Sequence, residues 1–467
     1  MRSSCQPEDM DALHRGTDRF IAQPENLPFC FRYGGRVVTG IPADWHPAVA
    51  SRSCDNEPQE TRLEGRDPSG LTISVLWRQY TTHPVVEWTV WITNAGPEPS
   101  DLIEDFQALD QVFHGTDPVI EHSTGDTGQA DGYSMDLTPL GSGQTLTIAP
   151  RDGRPSDGAF PYFRVMFREM GWHMAVGWPG QWRVTFRSTE QGLCIQAGQE
   201  VTRVRLEPGE TMRSPCITLL AWAGDTERGT NLWRRWYREH ILPRPAERPL
   251  APKLACACND GGVEYTAATE ENQRRFMDRF TANGIAFDVW WIDAGWYPCP
   301  DTDVYPLWIQ TGNWRADPRR FPSGLGPVGR AAKAVGAELL LWFEPERVFC
   351  GTELYREHPN WLLRRAGDLS ADDWESRNRL LDLGNPECRI WLTEHLSQLI
   401  QSGEVGVYRQ DCNIAPLRFW RDNEGADRRG MVENLYVQGY LQLWDDLLRR
   451  NPGLWIDSCA SGGGATI

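Results

Sequence analysis

Charged residues stand where buried strands should still be apolar. The stretch GVYRQDCN (406–413) opens as an apolar strand and closes on Arg409, Gln410 and Asp411. A carboxylate beside a guanidinium stays ionised, and an ionised carboxylate is a nucleophile or a hydrogen-bond acceptor. Four other apolar stretches end in the same manner. KLACAC is followed by Cys258, Asn259 and Asp260, and FDVWWID ends at Asp293 with Trp296 beyond. AELLLWFEPE carries Glu344 and Glu346, and GLWIDSC leads to Cys459 and the run Ser461 to Gly464. One acid at a strand end is most simply a helix cap; five in register are expected to share one rim. Carboxylates that take hydroxyl protons, Trp faces that cover apolar ring faces, and acids that transfer protons make up a sugar site.

Competing chemistries are less well formed. No GxGxxG or P-loop follows the first strand, and CASGGG (459–464) follows a strand without a Lys. A metal bound by Asp293, Glu344 and Asp411 is disfavoured because no His lies on these strands. The net charge of −17 repels phosphate backbones, so nucleic acid is not expected as a partner. No apolar run approaches membrane-spanning length, and the start, MRSSCQPEDMDAL, has no signal-peptide core. A cytoplasmic location is therefore expected, with the 12 Cys as free, buried thiols. The 22 Trp favour carbohydrate only modestly, since cores use them too.

Two kinds of element must position these residues. Residues 1–220 read as all-β. LTISVLWRQY (71–80) and VEWTVWITN (86–94) alternate, with Val86, Trp88, Val90 and Ile92 on one face, and QWRVTFRS (181–188) repeats the pattern. This predicts an antiparallel sandwich. DTERGTNLWRRWYREHIL (225–242) then reads as a helix with Leu232, Trp233, Trp236, Tyr237 and Ile241 on one side. The Pro-rich stretch at 243–252 marks a boundary, giving a β-sandwich domain over 1–245 and a second domain over 246–467. In the second domain five short strands alternate with helices that stop at Gly284, Gly336 and Gly403. That is a parallel sheet or barrel, with long strand-to-helix loops building the site.

WWIDAGW, LLLWFEPERV, YRQDCN and IDSCASGGG, in that order, resemble the α-galactosidases of glycoside hydrolase family 36, and TGNWRADPRRFPSGL and LYREHPNWLL extend the likeness. The resemblance implies a large β-sandwich, a (β/α)8 barrel and a small C-terminal β domain. It also implies hydrolysis of terminal α-galactosides with retention, without metal or cofactor, and assembly in which a neighbour's sandwich walls the cleft. On the matching positions Asp411 is the nucleophile; Asp293, Trp314, Arg409, Asn413, Cys459 and Gly462 contact the sugar, as does Arg377 by a looser match.

Three departures stand out. Ala294 replaces the second Asp of an acidic pair, which loosens galactose selectivity; Arg409 and Gln410 replace Lys and Trp; and the acid/base Asp is expected beyond Ile467. Residues 1–467 are therefore expected to form a barrel truncated after about five strands, impaired on unactivated galactosides and left with an open edge at the fifth strand. A carbohydrate-binding pseudoenzyme and an α-glycosidase or transglycosylase of other sugar preference are the alternative readings.

Overall fold

The computed structural model describes residues 5–53, 57–244, 251, 253–257, 264–367 and 374–464. Two compact units divide at Leu242/Pro243, and Glu424–Asn434 and Gly462–Ile467 group with the first unit instead of the second. The grouping has local causes. Arg428–Arg429 adds a short antiparallel strand beside Arg203–Val204, and the Gly463 N–H donates to Asp126 (2.8 Å). Most of the 243–252 stretch expected as a linker lies outside the described residues.

The first unit holds an eight-stranded and a ten-stranded antiparallel sheet. Strands Leu71–Gln79 and Val85–Asn94 pair throughout, as their alternation predicts. Val85–Asn94 is nevertheless buried on both faces at its start: Glu87, on the face opposite Val86 and Trp88, accepts from Tyr80 Oη (3.1 Å) and Thr218 Oγ1 (2.8 Å). Apolar inner faces drive the two sheets together. Phe163 of one meets Trp182 and Phe186 of the other edge-on, and the Trp88 indole N–H donates across to the Ala108 carbonyl (2.8 Å).

The all-β expectation for 1–220 needs one correction: Pro7–Ala22 is a helix. Its buried stripe runs Asp9, Leu13, Thr17, Phe20, at helical spacing but half polar. Asp9 tolerates full burial because Arg228 pairs with it and the Ala223 N–H donates to it (2.9 Å). The helix Thr226–Trp236 buries Leu232 and Trp236 as expected, then widens into a π-turn over Tyr237–Ile241. The wider turn breaks the 3.6-residue stripe, which leaves Ile241 exposed.

The second unit contains a five-stranded parallel sheet in chain order: Ala255–Ala257, Val289–Ile292, Glu338–Phe343, Val405–Gln410 and Trp455–Ser458. Helices Glu270–Ala282, Gly326–Ala334 and Pro386–Gly403 precede the second, third and fourth strands. Gly284 and Gly336 supply the left-handed residues that end the first two (φ 72° and 82°). A three-stranded antiparallel sheet, Arg347–Phe349, Leu362–Leu363 and Asn378–Leu381, fills the excursion after the third strand. The ten described cysteines form no disulfide, and six are only partly buried, including Cys256 and Cys350. Among the described residues no helix is long and apolar enough to cross a membrane.

Candidate active site

Strand alternation sorts the second unit's side chains into layers. Val289, Leu340 and Val407 pack on one face with Trp291 and Trp455. Two residues on, the same face presents Trp342, Arg409 and Asp457, and two further on Asp293, Glu344, Asp411 and Cys459. Register places Trp342 beside Arg409 and Arg409 beside Asp457. The Asp411 N–H continues the ladder by donating to the Phe343 carbonyl (2.8 Å), so the carboxylate is fixed at the sheet's C-terminal edge.

Asp411 is buried yet well supplied with donors. Oδ2 accepts from Trp342 Nε1 (3.0 Å) and Asn413 Nδ2 (2.9 Å); Oδ1 accepts from the backbone N–H groups of Cys412 (2.8 Å) and Ser461 (3.1 Å). Ser461 Oγ donates to Asn413 Oδ1 (2.7 Å) and so orients that amide. Burial pushes the Asp411 carboxyl up, but hydrogen bonds from Asn413, the Cys459 thiol, Trp342 and the Ser461 N–H outweigh it and hold it below the usual range. The result is an anion in a fixed orientation.

Arg409 does not supply that tether, contrary to the expectation from YRQD. Its guanidinium bonds Asp457 and lies over the Trp291 ring, 4.5 Å from the centroid. Along a strand, residues i and i+2 stand about 6.7 Å apart, whereas the cross-strand neighbour is about 4.8 Å away. Asp457 therefore takes the guanidinium. Asp293 sits nearby: burial raises its pKa and the Asp411 charge adds to this, opposed by the Ala294 N–H (2.7 Å) and by Arg409.

The other expected residues are spread more widely. Asn413 and Cys459 contact Asp411 directly. Trp314 is 3% exposed, packed among Trp296, Tyr297, Trp342 and Phe343, so it buttresses Trp342 and presents no open stacking face. Arg377 bonds Asp301 (3.0 Å) and covers the Phe349 ring in the excursion, away from the Asp411 hydrogen bonds. Gly462, at φ 114°, groups with the first unit, where a Cβ would lie 3.2 Å from an Asp126 carboxylate oxygen. Cys258, Asn259 and Asp260 lie outside the described residues.

The rim is also narrower than five strand ends in register imply. Glu344 is fully buried in an ion pair with Arg347 (Nε to Oε1 2.8 Å). Glu346 turns to the helix side of the sheet, where Gln410 Nε2 (2.8 Å) and Tyr436 Oη donate to it. Burial raises its pKa to about 7 despite those donors. A folded-state value above the unfolded 4.5 means the fold binds this proton more tightly. Stability from this group is full below about pH 4.5 and lost as pH rises through about 7. Glu346→Gln is expected to remove that loss, so that urea denaturation of the variant differs less between pH 5 and pH 8 than that of the parent.

Trp342 is the site residue that the sequence reading passed over. It lies two positions before Glu344 in LLLWFEPE, so alternation alone puts it on the Asp411 face.

Comparison with known proteins agrees with this architecture. The melibiase family model matches residues 229–466. Alpha-galactosidase Mel36A of Lactobacillus acidophilus is 26% identical over 91% of this chain and 57% of its own length; alpha-galactosidase C of Emericella nidulans is 28% identical over 63% of this chain and 38% of its own. Among solved structures, the Lactobacillus brevis alpha-galactosidase superposes with TM-score 0.75 at 19% identity, over 93% of this chain and 60% of that one. A Geobacillus stearothermophilus AgaA variant in complex with raffinose gives 0.76 at 18% identity, over 94% of this chain and 62% of that one. The chain spans about half the length of the curated relatives it matches. With the matched segment covering the parallel sheet and the Asp411 cluster, the chain belongs to the melibiase family, the α-galactosidases of glycoside hydrolase family 36.

Proposed function

We propose that this protein is a retaining α-galactosidase that uses Asp411 as its nucleophile. The observation that carries this reading is the carboxylate itself: buried, held by Trp342, Asn413 and two backbone N–H groups, and kept ionised at the end of a parallel strand. In a retaining reaction such a carboxylate attacks the anomeric carbon while a second carboxyl, about 5–5.5 Å away, protonates the leaving oxygen. Asp293 serves as acceptor for sugar hydroxyls, and the Arg409–Asp457 pair carries fixed charge beneath them. Trp291 and Trp455 line the layer below.

No described carboxylate of this layer is read as the proton donor. Among the described residues of this layer, Glu344 and Asp457 are each committed to a guanidinium, and Asp293 faces the Asp411 charge. The five parallel strands are accordingly read as part of a (β/α)8 barrel, with the catalytic domain over 246–467 and the β-sandwich over 1–245. Terminal α-galactosides of the raffinose and stachyose type, the sugars bound in the AgaA structures, are the proposed substrates. Ala294, buried beside Asp293, removes one hydroxyl acceptor and favours a second reading in which a related α-linked hexose is also accepted.

The test is a substrate panel with the first-formed anomer read by proton NMR. Aryl α-galactosides with good leaving groups are expected to be cleaved by residues 1–467 with α-galactose formed first. Raffinose is expected to be slower by about 10²–10⁴-fold, the share that general acid help supplies. Initial formation of β-galactose, or equal rates on both substrates, contradicts the reading.

A further inference from the structure

The first unit carries a donor cluster that the glycosidase chemistry does not use. The residues 81–84 turn, between strands Leu71–Gln79 and Val85–Asn94, meets the π-turn Tyr237–Ile241. There His83 Nε2 lies 3.3 Å from Glu239 Oε2, and the rings of His83 and His240 are 5.1 Å apart. Ligand atoms of His83, Glu239 and His240 all lie within 4.8 Å of one another.

Hydrogen bonding fixes which nitrogen of His83 is bare. Nδ1 is 3.0 Å from Thr82 Oγ1. That hydroxyl has one proton and also lies 3.1 Å from Glu57 Oε1, which accepts from the Thr81 and Thr82 N–H groups as well. An ionised carboxylate only accepts, so the hydroxyl gives its proton to Glu57 and accepts from His83 Nδ1–H. Nε2 of the neutral ring is then a lone pair aimed at a carboxylate oxygen, an arrangement that repels unless a cation lies between them. A proton there would leave His83, 6% exposed, as a buried imidazolium. It would also leave His240 Nε2 as it is, buried with no hydrogen-bond partner. One metal ion would satisfy His83 Nε2 and take a ring nitrogen of His240.

The spacing fits. Two donors each about 2.1 Å from a tetrahedral Zn²⁺ stand about 3.4 Å apart, close to the His83–Glu239 separation. His240 needs to move inward by roughly an ångström. Two imidazoles and one carboxylate form a borderline donor set suited to zinc, and Glu239, being exposed, leaves a fourth position to water. The Glu57–Thr82–His83 chain is the outer support that metal-bound imidazoles use to hold their tautomer.

We propose that His83, Glu239 and His240 form a zinc-class metal site that ties the end of the Trp-rich helix to the turn between two central strands. The role is structural, since none of these side chains belongs to the Asp411 cluster.

The test uses the whole chain, stripped with a chelator and titrated with ZnCl2 by calorimetry, with thermal unfolding followed alongside. One Zn²⁺ per chain at micromolar affinity or tighter is expected, together with a rise in Tm. Glu239→Gln and His240→Gln replace partly exposed side chains and are expected to fold, as circular dichroism would show, while binding Zn²⁺ at least about tenfold more weakly and losing the Tm rise. CoCl2 should give the absorption of a nitrogen–oxygen site without the charge-transfer band of thiolate ligation. No binding at micromolar ZnCl2, unchanged affinity in both variants, or a thiolate band with Co²⁺ would overturn the proposal.

Discussion

Asp411→Asn lowers the rate on an aryl α-galactoside by at least about a thousandfold, with the fold retained. Loss of the nucleophile of a covalent mechanism removes the only route to the glycosyl intermediate, and comparable losses reach about 10⁶ when acting residues work as a unit. The amide keeps the shape of the side chain, but its NH2 cannot accept, so either the Trp342 and Asn413 donors or the Ser461 and Cys412 N–H groups lose their acceptor. Steady-state kinetics with circular dichroism on the same preparations checks both halves of the expectation. A variant with a tenth of the parent activity would remove Asp411 from the nucleophile's role.

The second large effect concerns the fold beneath the site. Arg347 and Glu344 are both fully buried and ion-paired; Arg347 also reaches the Ile309 carbonyl (2.5 Å), and Glu344 accepts the Asn413 N–H. Arg347→Leu leaves the Glu344 carboxylate buried without its cation. Breaking one side of a buried pair costs about 3–5 kcal/mol, because an uncompensated charge remains. Glu344 also holds the backbone of Asn413, which in turn positions Asp411, so the loss should reach activity as well. The double variant Arg347→Leu, Glu344→Leu is expected to recover much of the stability and none of the Asn413 anchoring. Urea midpoints of the single and double variants, read beside kcat, separate the two contributions. Equal stability of Arg347→Leu and the parent would show that the pair carries no such weight.

The sequence made part of this legible, and the reason is periodicity. The strands around residues 289–292, 338–343 and 405–410 announce themselves as short apolar runs between Gly-stopped helices, and Asp411 and Asn413 follow at a strand end where a parallel sheet builds its site. What stayed hidden depends on partners distant in sequence. The helix Pro7–Ala22 has a buried stripe that includes Asp9 and Thr17, and Asp9 is acceptable there because Arg228 and the Ala223 N–H, both distant in sequence, meet it. Arg409 reads as the neighbour of Asp411 along the chain, but cross-strand register gives it to Asp457. Glu344 and Glu346 read as a pair at a rim, yet the strand ends at Phe343 and the turn that follows sends them to opposite faces, one to Arg347 and the other to Gln410 and Tyr436. The same limit applies to His83 and His240, whose approach depends on a turn and a helix end meeting in space.

Covalent capture tests the central claim most directly. A fluorinated α-galactosyl fluoride carries a leaving group that needs little protonation and forms a slowly hydrolysed glycosyl-enzyme, so it reports attack without requiring the general acid. Intact mass of the treated chain should rise by one sugar, and peptide mapping should place that sugar on the carboxylate of Asp411. A sugar found on Asp293 or any other carboxylate, or equal labelling of the Asp411→Asn variant, would contradict the account.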